Sequence, residues 1–381
     1  MSETETGRRK PGLSEGGITP PDPARRMSAS ELIALEDEAA AGSAGGAVPT
    51  TPDAPTVLVD PDDAPRTGGT SAQAGKVRVG DRVFQGLAAS SGVLVVLLIA
   101  AVAAFLIIRA IPALGDDDVN FLTSREWAVD GTTLRFGVAA LLWVTVISSI
   151  VAMVLAVPVG VGIALFITMY APRRLAGPVA RVVDLLAAIP SIVYGVWGLL
   201  VLGPAIQPVA NVLQSVLGSW FPLFADQNVQ VKTIFTAGVV LAIMILPIIT
   251  AVSRDVFERT PRANIEASLA LGATRWEMIR MAVLPYGKAG VTSGAMLGLG
   301  RALGETIAVT LILSTLGGGA AFSFSIFTGG ETFASKIANN AAEFSQPTQT
   351  GAYIAAGLVL FLLTFVVNAA ARLIVSRGGA K

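Results

Sequence analysis

Two charged residues occupy a stretch of chain where charge is expensive. Arg301 and Glu305 lie in Gly300-Arg301-Ala302-Leu303-Gly304-Glu305-Thr306, inside an otherwise apolar segment, 289–316, long enough to cross a hydrocarbon core of about 30 Å. Arg301 stands about twelve residues into that segment, roughly 18 Å from its start at 1.5 Å per residue, which is near the bilayer midplane. Each charge at that depth costs on the order of 3 kcal/mol. On one continuous helix the two stand at i and i+4, close enough to pair. One reading is a self-neutralising pair that locks a helix bundle. The other is a polar pathway, in which the guanidinium fork recognises a tetrahedral oxyanion and Glu305 holds it until substrate displaces the carboxylate. The second is preferred, because an apolar helix would be cheaper and Gly294, Gly298, Gly300 and Gly304 already permit close packing.

A second group lies between two apolar segments, at 254–288. Thr260-Pro261 predicts an N-cap followed by proline at the first helical position, and Gly272 the end of that helix. Thr274 and Glu277 have capping-box spacing and open another short helix carrying Trp276 and Ile279. A helix, glycine turn, helix unit beside a membrane offers a rigid knob for another protein, or an amphipathic connector lying on headgroups.

The surrounding elements are set by composition. Of 381 residues, 53% are hydrophobic and 14% charged, against about 25% charged in a soluble domain. Cysteine and histidine are both absent, which excludes disulfides, thiolate chemistry, Cys/His zinc sites and a histidine general base. Basic and acidic residues number 27 each, which argues against nucleic acid as a partner. The expected fold is an all-α polytopic membrane protein of six transmembrane helices, at about 87–108, 136–169, 185–206, 233–253, 289–316 and 351–371. The second is taken as one long helix, bending near Pro158, Gly160 and Gly162. Residues 1–86 hold nine of the 21 prolines with nine basic and 13 acidic residues and read as a disordered tail, with a short helix expected at 28–41 behind a Ser28/Glu31 capping box. With the tail inside, the inner segments carry 21 Lys/Arg and the outer ones five, so both termini are expected in the cytoplasm. The outer loop 317–350 contains an expected surface helix, 333–343.

The loop motif is recognisable. Glu266-Ala267-Ser268, Gly272 and Leu284-Pro285 resemble the EAA loop of ABC importer permeases, whose pattern is E-A-A, three residues, G, nine residues, I-x-L-P; Ser268 and Ala282 depart from it. The resemblance implies a coupling helix that inserts into an ATPase subunit, with Arg262, Glu266, Ala267, Gly272, Thr274, Arg275, Trp276 and Glu277 as coupling residues. Ala188-Ile189-Pro190-Ser191-Ile192-Val193-Tyr194-Gly195 and Gly300 through Thr306 are similar to the phosphate-specific transport permeases, closest to the PstC type, over roughly residues 80–381. Pro190 should leave the Leu186 carbonyl without its helical donor and bend the third span; with Gly195 it is a hinge candidate, although packing is the preferred role.

The resemblance implies the permease subunit of an ATP-driven importer of inorganic phosphate, half of the translocation pathway, in a prokaryotic plasma (inner) membrane. Its implied partners are a PstA-like second permease, a PstB-like ATPase dimer and an extracytoplasmic PstS-like phosphate-binding protein, besides membrane lipid. No G-x-x-x-x-G-K-[ST] is present, so ATP and Mg belong to the ATPase, no cofactor or metal is expected on this chain, and it is not an enzyme. Two rivals are an ABC permease for sulfate or molybdate and a proton-coupled secondary transporter using Glu305. A structural membrane scaffold would leave the midplane charges unaccounted for.

Overall fold

The computed structural model describes residues 79–129, 134–225, 230–314, 322–341, 344 and 347–378. The tail through residue 78, with the expected helix at 28–41, lies outside the described residues. The described residues are helical almost throughout. Helix α1 spans Val79–Gly115, so residues 79–86, read from sequence as tail, begin the first helix instead. A two-stranded ribbon, β1 (Trp127–Ala128) against β2 (Arg135–Phe136), leads into α2, Ala139–Leu165, which a π turn at Phe166–Tyr170 prolongs. The expected single long second span is thus one helical run, entered three residues later than its predicted start because Phe136 is held in the ribbon.

The third expected span, 185–206, is displaced. Helix α3, Arg173–Ala187, stops short of Pro190, and the chain restarts as α4 (Ser191–Trp197), a π turn (Gly198–Leu202) and α5 (Gly203–Leu217). Proline has no N–H and disfavours helical geometry in the residue before it, so Pro190 ends one helix and starts the next instead of bending a single one. Its predicted orphan, the Leu186 carbonyl, is satisfied by the Tyr194 hydroxyl at 2.8 Å and by the Ile189 N–H at 3.3 Å.

The core is built on α6, Ile234–Glu258. Thr233 caps it by accepting from the Thr236 N–H at 3.2 Å. Val240, Ile245 and Ile249 on α6 are fully enclosed, as are the polar Thr250 and Ser253. A helix apolar on all sides is expected at the centre of a bundle, not at its rim. Helix α2 lies along one side of α6, joined by the Thr250 hydroxyl donating to the Gly160 carbonyl at 3.3 Å. Helix α9, Leu284–Leu303, lies along another and makes its contact with glycines. A Cβ at Gly287 would stand 2.5 Å from the Phe257 ring, one at Gly290 would overlap Val256, and those at Gly294 and Gly298 would press Val252 and Ile249 at 3.1 Å. These four positions recur at helical spacing, so one glycine face of α9 fits against α6. Gly300 meets no neighbour, and Gly304 only its own helix, so the packing role predicted for them belongs to Gly287 and Gly290.

The largest departure concerns the fifth expected span. Instead of one helix over 289–316, α9 ends at Leu303, and α10 (Ile307–Ile312) begins after a break at Gly304-Glu305-Thr306. Among the described residues five helices are long and apolar enough to cross a membrane, at Gly80–Gly115, Ala139–Tyr170, Ser191–Leu217, Ile234–Glu258 and Gln349–Leu373. The broken α9–α10 segment does not qualify as a sixth. Helix α11, Phe333–Asn340, carries a Thr332/Ser335 capping box; Phe333 is fully buried and its N–H donates to the Thr145 hydroxyl at 3.2 Å, so the expected surface helix is anchored in the bundle. The last helix, α12, covers Pro347–Gly378 and packs on α1.

The α6–α9 contact generates a stability test. Gly290→Leu should cost about 1–3 kcal/mol by overpacking against Val256 and lower the unfolding temperature of the detergent-purified protein. Gly300→Ala should leave it unchanged or raise it, alanine being the better helix former by about 1 kcal/mol.

Candidate translocation site and coupling loop

The two motifs singled out in the sequence meet in space. Helix α4 packs on α10 so closely that a Cβ at Gly195 would stand 2.8 Å from the Ala308 Cα. Gly195 is therefore where two backbones touch, in line with the packing role preferred for it. The breaks at Ala188–Pro190 and Gly304–Thr306 flank this contact. Tyr194 and Ala302 belong to the same buried cluster as Val309 and Ile312, with Ile189 packed against it. Thr310, on α10, has a buried hydroxyl without a partner among the described residues.

Arg301 occupies the last turn of α9 and Glu305 the break, both partly exposed. They do not form the i, i+4 pair that a continuous helix would have allowed: among the described residues no ion pair within 4 Å involves either. The carboxylate is used locally. Glu305 Oε1 accepts the Ala308 N–H at 3.2 Å, and the Thr306 hydroxyl donates to the Gly304 carbonyl at 3.3 Å. Glu305 thus caps α10, satisfying an N–H that the break would have orphaned. Arg301 lies within electrostatic reach of Tyr194. A guanidinium that has no carboxylate partner, beside two helix breaks, suits an oxyanion. Among the described residues there is no cluster of three or more metal-ligating side chains.

At the other site, α7 (Arg262–Ala270) and α8 (Arg275–Met278) enclose Gly272, whose φ of +84° explains the glycine. Pro261, not Thr260, occupies the N-cap of α7, and the Thr260 hydroxyl is buried without a partner among the described residues. The predicted capping box is present: Thr274 Oγ1 accepts the Glu277 N–H at 3.3 Å, while Glu277 Oε2 accepts the Thr274 N–H and hydroxyl at 2.8 Å each. These bonds to the Thr274 backbone and hydroxyl hold the Glu277 carboxyl below its ordinary value of 4.5.

Arg262, Glu266, Ala267, Gly272, Thr274, Arg275, Trp276 and Glu277 are all exposed, whereas Ser268, Met278 and Ile279 face inward. Ser268, the departure from the E-A-A pattern, sends its hydroxyl to the Ile265 carbonyl at 2.7 Å. Two apolar residues were missed in the sequence: Leu269 and Leu271 are 44% and 90% exposed beside Trp276 at 58%. An apolar residue next to a positive-φ glycine was the available signal. The unit is rooted by Met278, Ile279 and Val283 against Phe257 of α6 and Ala164 and Leu165 of α2. Behind it, Asp184 of α3 meets Arg254 of α6 at 3.4 Å.

A model of the family described as "Binding-protein-dependent transport system inner membrane component" matches residues 156–378, more than half of the chain. The phosphate transport system permease protein PstC 2 of Mycobacterium tuberculosis is 55% identical over 301 residues, spanning 78% of this chain and 92% of its own. The chain belongs to that family of permeases. PstC of Mycobacterium leprae is 56% identical over 276 residues, covering 71% of this chain and 86% of the relative, and PstC of Mesorhizobium japonicum 39% over 305, covering 79% and 91%. The protein is a multi-pass membrane permease subunit of the ABC type, and not an enzyme. The matched region holds both sites, with α1 and the first part of α2 before it.

Two outcomes follow. Because glutamine keeps the acceptor, Glu305→Gln should retain the fold, while Glu305→Ala should lose about 1 kcal/mol of capping, read as a lower unfolding temperature. The Glu277 cap is complete above pH 4.5 and lost as pH falls through its depressed folded value, so at pH 7 Thr274→Ala and Gly272→Val should each loosen the turn, read as faster amide exchange over residues 262–278. Gly272→Val should be the more severe, since a β-branched residue at positive φ is strained by roughly 1–2 kcal/mol.

Proposed function

We propose that this chain forms half of the translocation pathway of an ATP-driven importer of inorganic phosphate. The observation that carries the reading is Arg301 at the end of α9, without a carboxylate partner among the described residues and beside the break that Glu305 caps. The relatives' names supply the anion, and the guanidinium supplies chemistry suited to it. The complex would contain a PstA-like second permease, a PstB-like ATPase dimer using ATP and Mg, and a PstS-like binding protein on the outer side. The excess of Lys and Arg in the inner segments supports a cytoplasmic position for both termini and for the Arg262–Met278 unit.

In the mechanism, phosphate delivered into the cavity between the two permeases takes Arg301 as its partner near the midplane. Glu305 need not be displaced from Arg301, since its carboxylate serves α10; its negative charge repels the anion onward. Closure of the ATPase moves the Arg262–Met278 unit, and its root on α2 and α6 passes that movement to α9.

Arg301→Gln in the assembled complex, reconstituted in vesicles with binding protein and ATP, should abolish phosphate uptake while assembly and ATP binding persist. Near-normal uptake by that variant would remove Arg301 from the pathway. Sulfate and molybdate at excess should fail to compete; effective competition would make the chain a permease for another oxyanion.

A further inference from the structure

We infer that the end of the bundle remote from the coupling loop holds a binding site for an anionic phospholipid, with the lipid phosphate on Arg125 and part of an acyl chain in the cavity beneath it. That cavity has a volume of about 400 Å³ and opens between α2 and α12; its walls include Leu142, Trp143 and Val146 of α2, Leu363 of α12, and Phe322 and Phe324. Its volume falls in the range of about 300–1,000 Å³ common to small-ligand sites. Since Ala164 and Leu165 at the other end of α2 touch the coupling unit, the α2 start belongs to the opposite membrane surface. Leu142 and Val146 lie three and seven residues beyond Ala139, roughly 5–10 Å down the helix. That is the depth at which tryptophans settle in bilayers.

The chemistry of the rim is specific. Arg125 stacks over Phe322 at 4.3 Å and Phe324 at 5.1 Å. It makes no ion pair or hydrogen bond among the described residues, and the adjacent carboxylate of Glu126 is taken by Arg135 at 3.1 Å. Stacking uses the guanidinium face and leaves its edge, with up to five N–H donors, available for a phosphate. The aromatic wall is fixed edge to face, Phe322 on Phe324 and Phe324 on Trp143, each at 4.9 Å. Trp143 contributes an indole N–H that is buried without an acceptor among the described residues. A small water-soluble anion would satisfy Arg125 and leave the apolar cavity empty. A neutral lipid would fill the cavity and leave the guanidinium unpaired. A phospholipid of net negative charge answers both, and this site shares no residue with Arg301 or Glu305.

The test uses the full complex in mild detergent, with phosphatidylglycerol, phosphatidylcholine and inorganic phosphate as separate probes, read by native mass spectrometry and by unfolding temperature. Phosphatidylglycerol should be retained about tenfold better than phosphatidylcholine, roughly 1.4 kcal/mol, and should raise the unfolding temperature, while inorganic phosphate alone should not. Arg125→Gln, a change at an exposed side chain, should abolish the preference and leave phosphatidylcholine retention as it was. Val146→Trp should lower retention of both lipids, and Leu363→Phe serves the same purpose if that variant misfolds. An intact preference in Arg125→Gln overturns the proposal, as does equal stabilisation by inorganic phosphate. It also fails if a photo-crosslinker at position 146 captures another subunit instead of lipid.

Discussion

A backbone that leaves helical geometry within a membrane must still find partners for every N–H and C=O, because hydrocarbon supplies none. This requirement organises the centre of the molecule. Among the described residues the membrane-depth segments show two breaks, at Ala188–Pro190 and Gly304–Thr306, and each is closed by a nearby side chain: Tyr194 donates to the Leu186 carbonyl, and Glu305 accepts from the Ala308 N–H. Both repairs are local, so neither commits a long-range contact. The two repaired ends then touch through Gly195 and Ala308, which gives a polar, irregular region a tight apolar boundary. Broken helices near midplane depth recur in transport proteins for this reason: they expose backbone and charge only where a cavity or a partner can use them.

The rest of the bundle keeps that region connected to the Arg262–Met278 unit. Helix α6 touches α2 along one side and the glycine face of α9 along another, and all three converge where Phe257 meets Ala164 and Met278. At each of these glycines an α6 side chain, Phe257, Val256, Val252 or Ile249, rests directly on the α9 backbone, so displacement of one helix reaches the other with little slack. The π turns at Phe166–Tyr170 and Ile279–Val283 lie where α2 and α9 join the coupling unit. Such turns mark places where a helix accommodates an extra residue, and they recur at functional sites.

Much of this was legible in the sequence where the signal was local. Apolar length marked the spanning segments, and the Thr274/Glu277 spacing and Gly272 marked the coupling turn, because caps and positive-φ turns are decided within four residues. The ends of the spans were less legible. Thr260 looked like a cap, yet Pro261 took that position, and Phe136 was drawn into a ribbon by pairing with Trp127. The break after Leu303 was hidden for a different reason: a glycine and a glutamate at i and i+4 from helical neighbours read equally well as a continuous span. What accompanies the break is the burial of Val309 and Ile312 in one cluster with Tyr194, a tertiary fact.

That break also decides how the charge of Arg301 is to be understood. Had the helix continued, Glu305 would have lain one turn away and the pair could have been mutually neutral, a structural fixture with no need of anything else. With Glu305 committed to α10, the compensation available to Arg301 within the described chain is the C-terminal end of the α9 dipole, worth about 0.3–1 kcal/mol. Against a cost on the order of 3 kcal/mol at membrane depth, this leaves roughly 2 kcal/mol that the described residues do not supply. Water in an open cavity, another subunit or an anion must provide the remainder. A site whose balance closes only when something enters it is what a permeation pathway requires, because an arginine already neutralised within its own chain would hold an oxyanion no better than a leucine does.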